Sequence, residues 1–154
     1  MLQKRIDLGS QPFGLAIAGE DIVKGSAVVL KTEEGVLKAY APVTAEEADA
    51  VMGFATFRIE EVGGNDKDFD VIKAGKRLVI YTLNKNNMWA TTQFVDHANV
   101  VAGAGLVVGF GADKGKLRLP VATTEDSRPR LFEVYAKNGA GAGYTDAMLD
   151  VFVK

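Results

Sequence analysis

The sequence predicts an all-β protein, a small β-barrel or sandwich of short strands. Three stretches share one pattern, in which a glycine follows an aliphatic residue by three positions and precedes an aliphatic run: residues 22–30, 72–80 and 100–108. Glycine adopts backbone angles closed to other residues, and Val and Ile fit a pleated sheet. The chain has 17 glycines but only 4 prolines, and its turn signals recur about every 8–12 residues, as in barrels and sandwiches.

The first and third stretches are each followed by a polar glycine turn and a second aliphatic run. Gly35 leads into residues 36–39, and Gly115 leads into residues 116–119. Because a strand, a glycine turn and a second strand make a hairpin, both stretches are expected to be hairpin arms. Similar glycine strings occur in many β proteins, so the recurrence alone does not establish a repeat.

Asparagine and threonine mark two further local structures. Residues 84–87 are rich in Asn, which tolerates left-handed backbone angles. They predict a hairpin turn, with residues 88–92 returning as the partner strand of the second stretch. Thr44 can cap a helix while Glu47 returns the bond, and this short helix is expected to end near Ala50.

Composition divides the chain into four parts. Residues 1–18 lack a clear period and are predicted to be an extended N-terminal arm, followed by the β-barrel core at 19–120. Residues 121–130 are predicted to be a linker, since they are polar and Pro129 resists joining a central strand. Residues 131–154 contain two aliphatic runs and predict a C-terminal β-hairpin.

Charge and composition argue against several classes of partner. The net charge is −2, with 18 basic and 20 acidic residues, so no overall field attracts nucleic acid or an anionic membrane. No apolar run approaches the ~18 residues of a membrane span, and the absence of cysteine leaves no disulfide or thiolate metal site. Lys114, Lys116 and Arg118 share one face of an extended segment and are expected to be solvated.

No stretch has the full spacing of a catalytic or cofactor-binding motif. The glycines at 103–109 precede a β-branched run, whereas a dinucleotide fingerprint requires them at the start of a helix. Residues 111–116 are one residue short of a phosphate-binding loop. Asp66, Asp68 and Asp70 alternate as in a calcium loop but lack its glycine and glutamate, so a polar loop is favoured over a weak cation site. We predict no cofactor and no metal site.

His97 is the only histidine, and it follows Asp96 in a polar bend. A nucleophilic mechanism would need this histidine beside a serine, yet the chain contains no Gly-x-Ser-x-Gly elbow. We interpret His97 as structural and predict that the protein is not an enzyme. An enzyme is the third alternative, because His97 could still lie beside a serine that is distant in the sequence.

Large apolar side chains outside the glycine patterns are candidates for a protein interface. Phe13, Leu15 and Ile17 alternate along the predicted arm, so an extended strand places all three on one face. Trp89 and Tyr144 are aromatic residues of the kind enriched at interfaces. We predict these five as interface residues, with the arm contacting another subunit. Filling of the protein's own core is the alternative.

The order of these patterns resembles that of the capsid decoration (cement) proteins of tailed bacteriophages. The resemblance rests on the glycine turn at 22–30, the return strand at 35–39, the strand at 51–55 and the second turn at 72–76. It covers roughly residues 15–120, and its motifs constrain the backbone more than the chemistry. The predicted C-terminal hairpin lies outside it.

The resemblance implies a structural, head-stabilising protein of the virion. Such a protein is made in the host cytoplasm, binds the capsid exterior and clamps neighbouring subunits of the major capsid protein, often as a homotrimer. No direct contact with nucleic acid or membrane is implied. The alternative is a non-catalytic β-barrel binding module, either a tail component or a binder of peptide or carbohydrate.

Overall fold

β-strands dominate the structure, as the sequence predicts. A computed structural model describes residues 2–6, 12–57, 70–138 and 147–154. The described elements are β1 (Leu2–Ile6), β2 (Pro12–Phe13), β3 (Ile17–Ala18), β4 (Ile22–Val23), β5 (Ala27–Glu33), β6 (Val36–Tyr40), α1 (Ala45–Asp49), β7 (Gly53–Phe57), β8 (Val71–Ile72), β9 (Leu78–Thr82), β10 (Met88–Thr91), β11 (Gly105–Val108), a 3-10 turn (Gly111–Asp113), β12 (Leu117–Arg118), β13 (Phe132–Asn138) and β14 (Met148–Val153). The predicted all-β class is confirmed.

Most of the described strands belong to two six-stranded sheets. The first has the order β2-β9-β7-β5-β6-β3, and the second has the order β1-β10-β14-β13-β11-β12. β4 and β8 form a separate antiparallel pair. Neighbouring strands are antiparallel except β3 and β6, which are parallel. The described strands thus form two large sheets and one short pair, and no closed barrel is seen among them.

The larger of two apolar clusters joins the two sheets. Phe54 belongs to the first sheet, and its ring centroid lies 6.1 Å from that of Trp89 and 5.3 Å from that of Phe132, both in the second. A smaller cluster includes Val28 and Ile80. Successive residues of β5 alternate between the two clusters. Both faces of the first half of β5 are therefore buried, which explains why residues 27–30 are a continuous apolar run.

The three glycine patterns are confirmed as turns that precede strands. Gly25, Gly75 and Gly103 have φ angles of 90°, 81° and 83°, in the left-handed region that favours glycine. β5, β9 and β11 begin shortly after these turns. Gly35 and Gly115, both at φ 76°, lie in the connections of the two predicted hairpins, β5–β6 and β11–β12, which are also confirmed.

Substitution of Gly103 by valine is expected to lower the free energy of unfolding by ~1–3 kcal/mol. No atom beyond its chain neighbours lies within 4 Å of the position that a Cβ would take, so the cost comes from backbone strain and not from a clash. Gly103→Asn is the control, with a smaller expected loss, because asparagine tolerates the left-handed region. Urea denaturation measures both. Equal midpoints for the valine variant and the wild type would contradict the prediction.

The hairpin predicted at residues 84–87 is wrong. β9 and β10, which precede and follow this turn, lie in different sheets. Asn86 is left-handed as expected, at φ 69°, but the turn bonds to the C-terminal strand. Asn86 N–H donates to Val153 O at 2.8 Å, and Val153 N–H donates to Asn87 O at 2.9 Å. The chain therefore crosses from one sheet to the other here.

The predicted N-terminal arm is part of both sheets. β1 pairs with β10, β2 with β9, and β3 with β6. Ala16 and Ala18 are buried in the smaller cluster. Their backbones bond to the segment that begins β9: Leu78 N–H donates to Ala16 O, and Ala18 N–H donates to Lys76 O. The prediction of an arm with no partner in its own chain is therefore wrong for the described residues.

The C-terminal hairpin is confirmed, but it is not a separate unit. β13 and β14 pair with each other in the middle of the second sheet, and Phe132 and Leu149 belong to the larger cluster. The predicted hairpin therefore packs into the same apolar cluster as Phe54 of the predicted barrel core, and is not separate from it. Most residues of the predicted linker at 121–130 are exposed, but Glu125 and Arg128 within it are buried.

α1 begins and ends where the sequence predicts. Thr44 Oγ1 accepts a hydrogen bond from Glu47 N–H at 3.2 Å, and Glu47 Oε2 accepts one from Val43 N–H at 2.8 Å. These bonds satisfy backbone donors that a helix start leaves unpaired. The helix ends at Asp49, whose carboxylate reaches the ionic cluster described below.

Candidate interaction surface

Leu15 is the most exposed large apolar side chain of the described residues, at 81% of its full accessibility. It follows β2 and precedes β3, so both ends of its short segment are paired. Ala16 and Ala18 are buried, while Ile17 is half-buried. The buried residues that follow Leu15 therefore fix its backbone, and the Leu15 side chain is exposed at the surface.

A β-bulge separates Phe13 from the other two residues of the predicted face. Phe13 lies opposite Ile80 and Ile17 lies opposite Arg77, so this segment advances four residues while its partner advances three. The extra residue reverses the alternation of side chains. Phe13 packs against the smaller cluster, whereas Leu15 is exposed. The predicted common face is wrong for Phe13, while Leu15 is exposed and Ile17 is half-buried.

Two cations accompany Leu15 at the surface. Arg77 and Ile17 are directly opposite in an antiparallel bridge, which places their side chains on one side of the sheet. Lys76 and Arg77 are exposed, and neither has an ion-pair partner within the described residues. We define the Leu15 face as Leu15, Ile17 and Arg77, and the exposed Lys76 is the residue before Arg77 in the chain.

Trp89, predicted as an interface residue, lies in the core. Its exposed fraction is 0%, and its ring centroid lies 5.0 Å from that of Tyr81 and 6.1 Å from that of Phe54. Tyr81 and Phe54 belong to the first sheet, so Trp89 is one of the contacts that hold the two sheets together. Core filling, the alternative interpretation, is correct for Trp89. Tyr144 lies outside the described residues.

A buried ionic cluster occupies the predicted linker. Glu125 accepts hydrogen bonds from Arg118 Nη1 and Nη2 at 2.6 and 2.7 Å. It also accepts from Arg128 Nη1 at 2.8 Å and from Val121 N–H at 2.7 Å. These four bonds use both oxygens of one carboxylate, in the paired geometry that makes arginine–carboxylate contacts strong.

Arg128 connects this cluster to the helix. Its Nε and Nη2 donate to Asp49 Oδ1 at 2.9 and 2.8 Å, and Nη2 also donates to Val108 O at 2.9 Å. The guanidinium carbons of Arg118 and Arg128 lie 5.7 and 5.3 Å from the ring centre of Phe110, within cation–π range. The cluster therefore holds α1, β11, β12 and the segment after β12 together.

The arginines hold the pKa of Glu125 at about 2, below its ordinary value of 4.5. Hydrogen bonds from Arg118 are the largest cause, and burial acts in the opposite direction. Glu125 in turn raises the pKa of Arg118, chiefly through the same hydrogen bonds. Because the carboxyl is more acidic in the folded chain than in the unfolded one, its stabilising effect is fully present above pH ~4.5 and is lost as the pH falls toward 2.

We therefore expect the wild type to lose more stability than Glu125→Gln between pH ~5 and pH ~2. Hydrogen bonds also lower the pKa of Asp21, Glu33 and Glu47, chiefly from a backbone N–H in Asp21 and from lysines in the other two. These three carboxyls make both the wild type and Glu125→Gln less stable in acid. The difference between the two stability–pH profiles therefore measures the contribution of Glu125. Urea midpoints at successive pH values measure it, and parallel profiles would contradict the assignment.

The sequence contains little signal for this cluster. The solvated face predicted for Arg118 is wrong, since its side chain is only 12% exposed. The spacing of Glu125 and Arg128, three residues apart, is the one local cue, and such pairs are common at protein surfaces. Their burial depends on Asp49, 79 positions from Arg128, which no local pattern reveals.

A groove of about 440 Å³ opens next to Arg118. Its lining residues are Val95, His97, Asn99, Asp113, Arg118, Leu119, Pro120 and Val121. His97 is exposed, and its Nδ1 accepts a hydrogen bond from Asn99 N–H at 3.1 Å, within its own bend. Asp70 is exposed, while Asp66 and Asp68 lie outside the described residues. The part of the chain that the structure describes contains no group of three potential metal ligands.

Function has to be inferred from the chain itself, because no protein-family model matches it and no significant match is found among curated proteins or solved structures. None of the helical segments in the described ranges is long and apolar enough to cross a bilayer.

Proposed function

We propose that the protein is a structural virion protein, which binds the outer surface of a tailed-phage head and clamps neighbouring subunits of the major capsid protein. The observation that carries the proposal is the Leu15 face, where an exposed leucine lies on a segment that pairs with Arg77, a cation with no ion-pair partner among the described residues. A side chain presented on ordered backbone loses less conformational freedom on binding than one on a loose arm. The order of glycine turns along the chain supports the same assignment.

Connections between distant parts of the chain suit a clamp. In the second sheet, β10 lies between β1 and β14, and Arg5 Nε donates to Asp150 Oδ1 at 3.2 Å. The buried ionic cluster adds a second link between distant segments. A clamp has to bear load between subunits without local unfolding, and elements packed into the core open less readily than exposed loops or termini.

The energetic basis of such a role is linkage. A protein that binds the assembled lattice in preference to free subunits stabilises the lattice by its binding free energy. A homotrimer at a local three-fold axis would make each contact three times, so that a modest single-site affinity becomes strong avidity. This role uses no catalytic residue and no cofactor.

The proposal is tested with purified heads that lack this protein. We expect the added protein to co-sediment with heads but not with free major capsid subunits, and to raise the temperature at which the heads release DNA. Electron microscopy of the decorated heads locates the added density. Absence of binding at micromolar protein would overturn the proposal.

The groove beside Arg118 favours a second candidate, a non-catalytic binding module for an extended peptide or a carbohydrate. Its volume of about 440 Å³ is within the range of ligand pockets. Binding of a peptide or glycan from an array, lost in Val121→Trp and combined with no binding to heads, would favour this candidate over head decoration.

A further inference from the structure

The charges of the Leu15 face differ from those of most of the described surface. Most described lysines form an ion pair with a carboxylate, as in Lys31–Glu47, Lys38–Glu33, Lys73–Asp21, Lys114–Glu20, Lys137–Asp96 and Lys154–Glu133. Lys24, Lys76, Lys85, Lys116 and Arg77 have no such partner among the described residues, and of these only Lys76 and Arg77 are adjacent in the chain. Lys73, nearby in the chain, is paired with Asp21, so the uncompensated positive charge here comes from Lys76 and Arg77. The Leu15 face is therefore locally positive.

This local charge is opposite in sign to that of the whole chain, whose net charge is −2. An acidic partner surface repels the chain overall but attracts it through this face. Charge complementarity of this kind orients the two proteins as they associate and disfavours other orientations. An exposed leucine adjoining the cations supplies the apolar anchor that a charged contact alone lacks.

We infer that the Leu15 face is the docking surface, and that its partner is an acidic protein surface with an apolar depression that receives Leu15. The inference rests on the proposed function, in which that partner surface belongs to the assembled head. Ile17 and Arg77 lie opposite each other in an isolated bridge, so Leu15 and the guanidinium are carried on two neighbouring segments. The partner is expected to place its carboxylates beside the depression and not within it.

The inference is tested by co-sedimentation of variants with heads that lack the protein. Leu15→Asp is expected to weaken binding by roughly 30-fold or more, as for an interface hot spot. Arg77→Glu is expected to weaken it by roughly tenfold and to make it less sensitive to salt. Tyr135→Asp is the matched control, since Tyr135 is 57% exposed on a different sheet, and its binding should stay within about twofold of the wild type.

Thermal melting accompanies each assay, and Leu15→Ser replaces Leu15→Asp if the latter does not fold. Wild-type binding together with unchanged binding of the Leu15 and Arg77 variants would overturn this inference and leave the proposed function standing. Failure of the wild type to bind heads would overturn both. Binding of the wild type to phosphatidylglycerol vesicles or duplex DNA, lost in Arg77→Glu, would overturn the choice of a protein partner.

Discussion

Replacing Arg128 by methionine is expected to lower the free energy of unfolding by about 3–5 kcal/mol. The substitution removes one of the two arginines that bond Glu125, and it removes the bonds from Arg128 to Asp49. Methionine retains much of the side-chain volume, so the loss comes mainly from charge. A carboxylate left buried with incomplete pairing costs more than the ion pair itself contributed. Urea denaturation at pH 7 measures the change.

Arg130→Met is the matched control for this variant. Arg130 Nη1 donates to the backbone carbonyls of Glu125 and Arg128 at 3.0 and 2.6 Å, and its contact with the exposed Asp126 is 3.9 Å long. Its loss should cost about 1 kcal/mol. Equal losses of unfolding free energy in Arg128→Met and Arg130→Met would contradict a larger contribution from the buried ion pairs. The double variant Glu125→Gln with Arg128→Met should cost less than the sum of the two single changes, because the residues are in contact.

Removing residues 1–14 is expected to leave a chain that does not fold cooperatively. The deletion removes β1 and β2 and with them one neighbour each of β10 and β9. It also removes Leu2 from the larger apolar cluster and Arg5 from its pair with Asp150. β10 then becomes an open edge, which favours aggregation. Circular dichroism and thermal melting of the truncated chain measure the effect.

Leu15→Asp is the control for the truncation, because it keeps every backbone pairing of the segment. Its stability should stay within about 0.5 kcal/mol of the wild type, as is usual for exposed positions. A truncated chain that melts cooperatively near the wild-type temperature would contradict the expectation. It would also restore the interpretation of the N-terminal residues as an arm.

Local backbone chemistry was predictable from the sequence. Gly25, Gly75 and Gly103 are turns because only glycine readily adopts their angles, and Thr44 caps a helix because its hydroxyl reaches a nearby N–H. Each of these features is decided within a few residues. The all-β class followed from them, since turns at regular spacing allow only short strands.

Pairing between distant segments was not predictable in the same way. The turn near Asn86 looks like a hairpin, yet β10 pairs with strands from both ends of the chain. The alternation that placed Phe13 with Leu15 fails because one extra residue forms a bulge, which leaves no mark in the sequence. Trp89 is buried and Leu15 is exposed, although both are large apolar residues. Their environments depend on which strands lie beside them.

The ion pair between Arg5 and Asp150 joins residues 145 positions apart, and this separation imposes an order on biosynthesis. The strands of the first sheet end at Thr82, so that sheet can assemble while the rest of the chain is still being translated. The second sheet has to wait, because β10 needs β14 as a neighbour. We expect Trp89 to stay accessible to chaperones during this interval. Refolding in vitro should be slow for a chain of this size, because the entropy cost of closing long loops comes before the non-local contacts form that offset it.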